Sequence, residues 1–404
     1  MAKFQYTATN VAGRTIDGLY EAQDRRGVVD MLRARSYYPL RIAEVKTGQG
    51  LNRELGRKIP LKDLSLFCQQ FSTILSSGIA VGQALDILAQ QTENKRLQRV
   101  LRDVYEKVLT GRSLTDSFEE HADRFPSVFM SMLRVGEVSG TLEGSLKRLH
   151  GYFRQEYNLS QKFKTAMVYP AIVSCLALVI VTFLLIFIVP TFQGVFENAG
   201  ATLPKPTLVL LAMSNGLRHH YPVVIAFVLA VIVLFYAYQR SPGGKVALSR
   251  LSLVVPAFGP LNRKLLVSRF TRTLSTMTAS GVPLTQALDI TSRVVANPYV
   301  EQELKAAQDA IQQGVPLYRP LGAIAAFPPM VIQMTRLGEE SGQLDYMLEQ
   351  TAVYYDSETE TAIARLTAAI EPAIIIVLGG MVLFVVLSIL LPTFRMASLV
   401  GGLG

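Results

Sequence analysis

The chain has no tryptophan, only two cysteines and only four histidines among its 404 residues. Cys175 lies within an apolar run, so a structural disulfide to Cys68 is not expected. His121, His150, His219 and His220 show no zinc-ligand spacing with one another or with the cysteines, so no metal site is expected. Gly244-Lys245 lacks both the earlier glycine and the following Ser or Thr of a phosphate loop, so no nucleotide site is expected. Without tryptophan or basic–aromatic interleaving, nucleic-acid binding has little support. No nucleophile–base–acid set can be assembled, and no residue pattern asks for a cofactor. Met1 to Asn10 has neither an apolar core nor a cleavage site, so no signal peptide is expected.

What the chain has in abundance is apolar surface: half of its residues are hydrophobic and 18% are charged. Tyr169-Pro170 precedes a charge-free run from Ala171 to Val189 that closes on Pro190-Thr191-Phe192. Glu371-Pro372 precedes a second run that closes on Pro392-Thr393-Phe394 at the same spacing. A helix of roughly 19 apolar residues rises about 28 Å, close to the hydrocarbon thickness of a bilayer. Tyr221 to Tyr238 reads as a third span, with tyrosines at both ends. Arg154, Lys162 and Lys164 precede the first span, and Arg240, Lys245 and Arg250 follow the one at 221–238, so the positive-inside rule places both soluble regions in the cytoplasm. Residues 1–169 carry 25 basic and 18 acidic side chains, a net +7, while residues 239–371 carry 12 of each. A basic first region suits contact with anionic lipid or an acidic partner.

The soluble parts divide further. Residues 1–45 alternate as strands around a short helix from Asp24 to Ser36, a small α+β module, and residues 46–60 read as a linker. From Leu61 the spacing of apolar residues is helical, giving six helices through 61–169. Gln83-Ala84-Leu85-Asp86-Ile87 returns as Gln286-Ala287-Leu288-Asp289-Ile290, and Phe125-Pro126 returns as Phe327-Pro328. The fold class expected is therefore mainly α: duplicated cytoplasmic six-helix bundles at 61–169 and 239–371, three transmembrane helices at 170–190, 221–238 and 372–391, and the N-terminal α+β module. The extracytoplasmic parts are then a loop at 191–220 and a tail at 392–404. Asp86 and Asp289 sit beside apolar residues and are expected to pack between helices.

The sharpest local motif also occurs twice, as Gly136-Glu137-Val138-Ser139-Gly140 and Gly338-Glu339-Glu340-Ser341-Gly342. One reading makes Glu137 and Glu339 contacts for a partner or a cation. The other makes the motif a helix–turn–helix joint, in which Gly140 and Gly342 turn the chain and Ser139 or Ser341 caps local amides. Tyr169 and Pro170 in the first copy match Glu371 and Pro372 in the second. Glu371 is either an interfacial residue in water or a carboxylate paired within an interface.

These residues carry a family likeness. The duplicated helical region, the paired Gly-Glu-x-Ser-Gly motifs, Tyr169-Pro170 against Glu371-Pro372, Pro190-Thr191-Phe192-Gln193 against Pro392-Thr393-Phe394, and Phe4-x-Tyr6-x-Ala8 with Gly13 together resemble the type II secretion F family. These are inner-membrane platform proteins of type IV pilus and type II secretion machines. The resemblance implies a non-enzymatic, multi-pass protein of the bacterial inner membrane with a cytoplasmic N-terminus. It implies as partners a hexameric assembly ATPase, pilin or pseudopilin subunits, other inner-membrane components of the machine, membrane lipid and further copies of itself. The loop at 199–204 looks slightly closer to the pilus branch. Two other classes remain open at this point: a small-solute transporter, whose spans would need more polar residues than Ser174, Thr182 and Ser388, and a membrane-bound hydrolase.

Overall fold

The computed structural model describes residues 2–10, 15–22, 37–45, 58–191, 205–219, 221–256 and 258–400, with Gly27, Val29, Met31 and Leu32 between the strands. The chain forms two compact units, residues 1–58 and 59–404. Most of the expected linker at 46–60, and all of 192–204, lie outside the described residues.

The first unit is a three-stranded antiparallel sheet of β1 (Ala2–Asn10), β2 (Thr15–Ala22) and β3 (Tyr37–Val45), with β1 in the centre. Period-two alternation supplies its single core face, where Ala8 and, from the helical residues, Leu32 are fully buried. Pro39 has no N–H to give a ladder, and it lies on an edge strand opposite Ala8, where the register shifts.

The second unit is helical. The first copy runs through α1 (Leu61–Ser76), α2 (Val81–Gln91), α3 (Lys95–Leu109), α4 (Leu114–Glu119), α5 (Ser127–Val138) and α6 (Leu142–Phe183). Then come α7 (Lys205–His219), α8 (Tyr221–Arg240) and α9 (Pro242–Val254). The second copy is α10 (Phe258–Ala279), α11 (Leu284–Val294), α12 (Pro298–Gln312), α13 (Tyr318–Gly322), α14 (Pro329–Ser341) and α15 (Leu344–Val400). Each copy turns at three glycines in the left-handed region, Gly78, Gly111 and Gly140 against Gly281, Gly314 and Gly342. A side chain there would press Cβ against the following carbonyl, which is why glycine recurs at these helix ends. Asn94 and Asn297 cap α3 and α12, each side chain accepting from backbone amides of the first turn. One buried cluster runs through both copies, from Phe67, Phe118 and Phe129 to Phe270 and Phe327.

Two helices are long and apolar enough to cross a membrane, within 142–191 and 344–391, and no more than 17% of either apolar window is buried. That exposure separates them from the core helices of a soluble protein, which hide such surface. The third apolar segment is the 20-residue helix α8.

The backbone departs from the sequence reading in four places. The expected boundaries at 169/170 and 371/372 do not interrupt the chain, because α6 and α15 run as single helices through Pro170 and Pro372. Proline removes one N–H donor, and a long helix held on both sides tolerates the loss. Part of the segment expected as a loop is α7, whose Leu210 and Leu211 bury against Leu185 and Val189, just beyond α6, and Val385 of α15. Ser214 Oγ donates to the Leu185 carbonyl at 2.5 Å and Thr207 Oγ1 to the Ser388 carbonyl at 2.6 Å. The Leu185 carbonyl lies in a π-helical turn, Leu184–Ile188, where the i→i+4 ladder is interrupted. The expected tail at 392–404 continues α15 as far as Val400, and α9 is an additional helix before the second copy proper.

Candidate functional site: the seam between the two copies

Each Gly-Glu-x-Ser-Gly motif is a clamp on its own bundle. Glu137 Oε1 accepts from the Leu114 N–H at 2.6 Å and Oε2 from the Thr115 N–H at 2.8 Å. Glu339 does the same with Leu317 at 2.6 Å and Tyr318 at 3.0 Å. In each copy the carboxylate thus satisfies two amides at the start of the short fourth helix, where orphan N–H groups and the helix dipole favour negative charge. Both oxygens are engaged inside the bundle, so the geometry of this pair is that of a cap. A Cβ on Gly136 would come within 3.2 Å of Leu142 Cα, and one on Gly338 within 2.8 Å of Leu344 Cα, so glycine lets the fifth helix meet the sixth. Ser139 and Ser341 do not cap amides as expected. Their hydroxyls donate to the carbonyls of Val135 and Leu337, both at 2.7 Å, four residues back in the last turn of the helix that each serine closes. Asp86 and Asp289 also differ from expectation: they accept from Gln90 and Arg293 one turn along the surface, rather than packing between helices.

At the other candidate positions Pro170 is buried in α6, while Tyr169, Glu371 and Pro372 are exposed. Glu371 has no hydrogen bond or ion pair among the described residues. Its neighbours Ile370, Ala373 and Ile374 face Ser174, Ala177 and Leu178 across an apolar groove of about 370 Å³ between the two long helices.

The most connected polar site is one the sequence reading missed. Where α6 crosses α10 and α15, Asp356 is 5% exposed and accepts from Ser268 Oγ, from the Arg272 guanidinium, and from Gln155 Nε2 at 2.8 Å. Arg272 also reaches Glu349 at 3.3 Å. Arg269 grips Glu156 through two nitrogens, at 3.1 and 3.3 Å. The Tyr152 hydroxyl meets Thr273 Oγ1 at 3.2 Å, and burial pushes its pKa above the ordinary tyrosine range. Towards the membrane Leu159 packs on Ile363, Leu366 and Leu261, and Lys162 pairs with Glu360. The network is a seam: polar where the two bundles meet, apolar where their long helices continue together. Its signal in the sequence is a difference between copies, since Asp356 and Arg272 stand where the first copy has Arg154 and Gln69.

Among the described residues no group of His, Cys, Asp and Glu could hold a metal ion. Cys68 is free and buried, and burial raises its thiol pKa well above the ordinary range, while Cys175 is free and exposed.

These features define a class: two fused helical bundles, each carried on a long apolar helix, with a separate β-containing module ahead of them. Sequence comparison agrees. The family model for type II secretion system (T2SS), protein F, matches twice, at residues 67–190 and 270–392, and the type II secretion system protein F N-terminal domain matches residues 1–43. The chain belongs to the type II secretion system protein F family. It is 39% identical over 405 residues to a type IV pilus assembly protein PilC of Thermus thermophilus, covering 98% of both chains. It is 35% identical over 407 residues to a type II secretion system protein F of Pseudomonas aeruginosa, covering 99% of this chain and 100% of the relative. With a PilC of Myxococcus xanthus the identity is 34% over 398 residues, covering 98% and 95%. The family is non-enzymatic, and this chain is not an enzyme.

Proposed function

We propose that this protein is an inner-membrane platform that couples a cytoplasmic assembly ATPase to polymerisation of pilin or pseudopilin subunits. The observation that carries the reading is mechanical: α6 and α15 each run unbroken from a soluble bundle into an apolar segment, and the seam holds the two bundles together. A stiff helix of this kind transmits displacement, whereas a loop at the membrane boundary would absorb it. Three spans, α6, α8 and α15, with the N-terminus and both bundles in the cytoplasm, agree with the distribution of lysine and arginine. A type IV pilus is slightly favoured over a secretion system, by the loop at 199–204 and by the name of the Thermus relative. Glu371, exposed beside the groove between the long helices, is available to pair across an interface with an incoming subunit or another platform copy.

The test inserts four glycines after Lys164, which breaks α6 between bundle and membrane. Membrane level and ATPase copurification should stay near normal while filament assembly stops. Assembly at the wild-type rate would overturn the reading. Orientation is checked with cysteines at Leu109, Gln313 and Asn198 in a Cys175→Ser background. In intact cells only the one at Asn198 should react with an impermeant thiol reagent, and labelling at Leu109 would reverse the topology.

A further inference from the structure

The seam is heterologous: the first copy presents α6, and the second receives it on α10 and α15. A contact of that kind leaves its two halves free at opposite ends of the chain. The receiving half, repeated in the first copy, is the outer face of α1. Its residues Lys62, Leu66, Gln69, Thr73 and Ser76 are all exposed. At the matching places on α10, none of Leu265, Arg269, Arg272, Thr276 and Ala279 is exposed. The presenting half, repeated in the second copy, is on α15. There Tyr354 is 46% exposed, whereas its counterpart Tyr152 is 5% exposed in the seam. Beside it Val353 is also exposed, where the first copy has Gly151.

We infer that these two free faces join between chains: α15 of one protomer docks on α1 of a second copy, repeating the internal contact. At the end of the contact away from the membrane the chemistry fits. The seam pairs the Tyr152 hydroxyl with Thr273, and the equivalent residues between chains are Tyr354 and Gln70, a phenol and an amide able to hydrogen-bond. The seam pairs Gln155 with Asp356, and the equivalents are Ser357 and Arg154, both exposed and both without a partner among the described residues. A third seam pair is the ion pair of Glu156 with Arg269, and here the equivalents are Glu358 and Leu66, while the Lys162–Glu360 pair has no counterpart, its equivalents being Ala364 and Asn158. Glu358 is already neutralised by Lys264 of its own copy at 2.6 Å, which holds its carboxyl below the usual range, so it needs no cation from another chain. Leu66, in place of Arg269, then offers an apolar surface to Tyr354 and Val353.

The inference does not depend on which filament the protein serves, and its test is independent of filament assembly. In a Cys175→Ser background, Cys68 stays buried and unreactive. Chains carrying Gln70→Cys and chains carrying Tyr354→Cys are produced together, and their membranes treated with a short bismaleimide. Mixed membranes should give a covalent dimer, and either variant alone should give none. In detergent, Leu66→Asp should reduce the mass measured by light scattering to that of one chain with unchanged helical circular dichroism, while Leu109→Asp, exposed on another face, should leave the mass as it was. No dimer in mixed membranes, a dimer from Tyr354→Cys alone, or an unchanged mass for Leu66→Asp would each overturn the inference.

Discussion

The third helix of each copy holds the same position in its bundle, begins on the same asparagine cap and ends at the same left-handed glycine, yet the two carry opposite charge. Helix α3 has five basic residues against Asp103 and Glu106, while α12 has Glu301, Glu303 and Asp309 against Lys305. On α3 the charges are organised: Lys107 bridges Asp103 at 2.6 Å and Glu120 at 2.5 Å, and His121 joins Asp103 at 2.7 Å. The second copy has Ala306 and Ala310 where the first has Asp103 and Lys107. The first helices diverge likewise, with Leu66 and Gln69 against Arg269 and Arg272. Duplication thus kept the devices that fold a bundle and released the faces that meet neighbours. The second copy spent its release on the seam, and the first kept an open, basic surface.

The largest effect should come from breaking the seam. Asp356→Ala leaves the largely buried Arg272 guanidinium with only its longer contact to Glu349, and removing one member of a buried pair costs about 3–5 kcal/mol. The matching Arg154→Ala in the first copy removes an exposed side chain and should cost about 0–0.5 kcal/mol. Chemical unfolding of the purified protein in detergent compares them, and equal losses would mean that the seam is not what distinguishes the copies.

Next come the clamps, where the copies should behave alike. Glu137→Gln and Glu339→Gln each exchange one accepting oxygen for an amide that faces an N–H. A hydrogen bond to a charged group contributes about 1.5–3 kcal/mol, and the two substitutions should cost similar amounts. A large difference between them in the same unfolding assay would show that the bundles are not held by one device.

A smaller pair of effects follows at the glycines. Gly338→Ala drives Cβ towards the Leu344 backbone and should cost about 1–3 kcal/mol by overpacking. Gly136→Ala meets Ser145, whose Oγ at 2.6 Å can turn aside but whose Cβ at 2.8 Å cannot, and it should cost a similar amount. A thermal melt in which either substitution leaves the midpoint unchanged would contradict the packing at the fifth helix.

The smallest effect is one of pH. Hydrogen bonding and charge from Lys107 hold the Asp103 and Glu120 carboxyls below their usual range. A carboxyl lowered in the folded state contributes stability above its unfolded pKa, and that contribution is lost as pH falls through the folded value. The destabilisation caused by Lys107→Ala should therefore be present at pH 6 and fade below about pH 4. The contact is exposed and correspondingly weak, and a difference that persists undiminished at pH 3 would locate its origin elsewhere.

Much of this architecture is legible in the chain because it is written locally. Helical periodicity, two charge-free runs and an internal repeat fix the elements and their duplication, and Gly78, Gly111 and Gly140 mark turns that need a positive φ. The sequence also singles out Glu137 and Glu339, since a motif repeated in both copies must serve something common to both. It does not say what they touch: Leu114 and Leu317 lie more than twenty residues away, and no local rule relates a carboxylate to amides at that distance. Nor do propensities reveal α7, whose helix depends on burial against α6 and α15. The seam is decided by tertiary structure alone. Gln155, Arg272 and Asp356 are ordinary surface residues by type, and only the crossing of three helices from two copies removes them from water and makes each one's pairing matter.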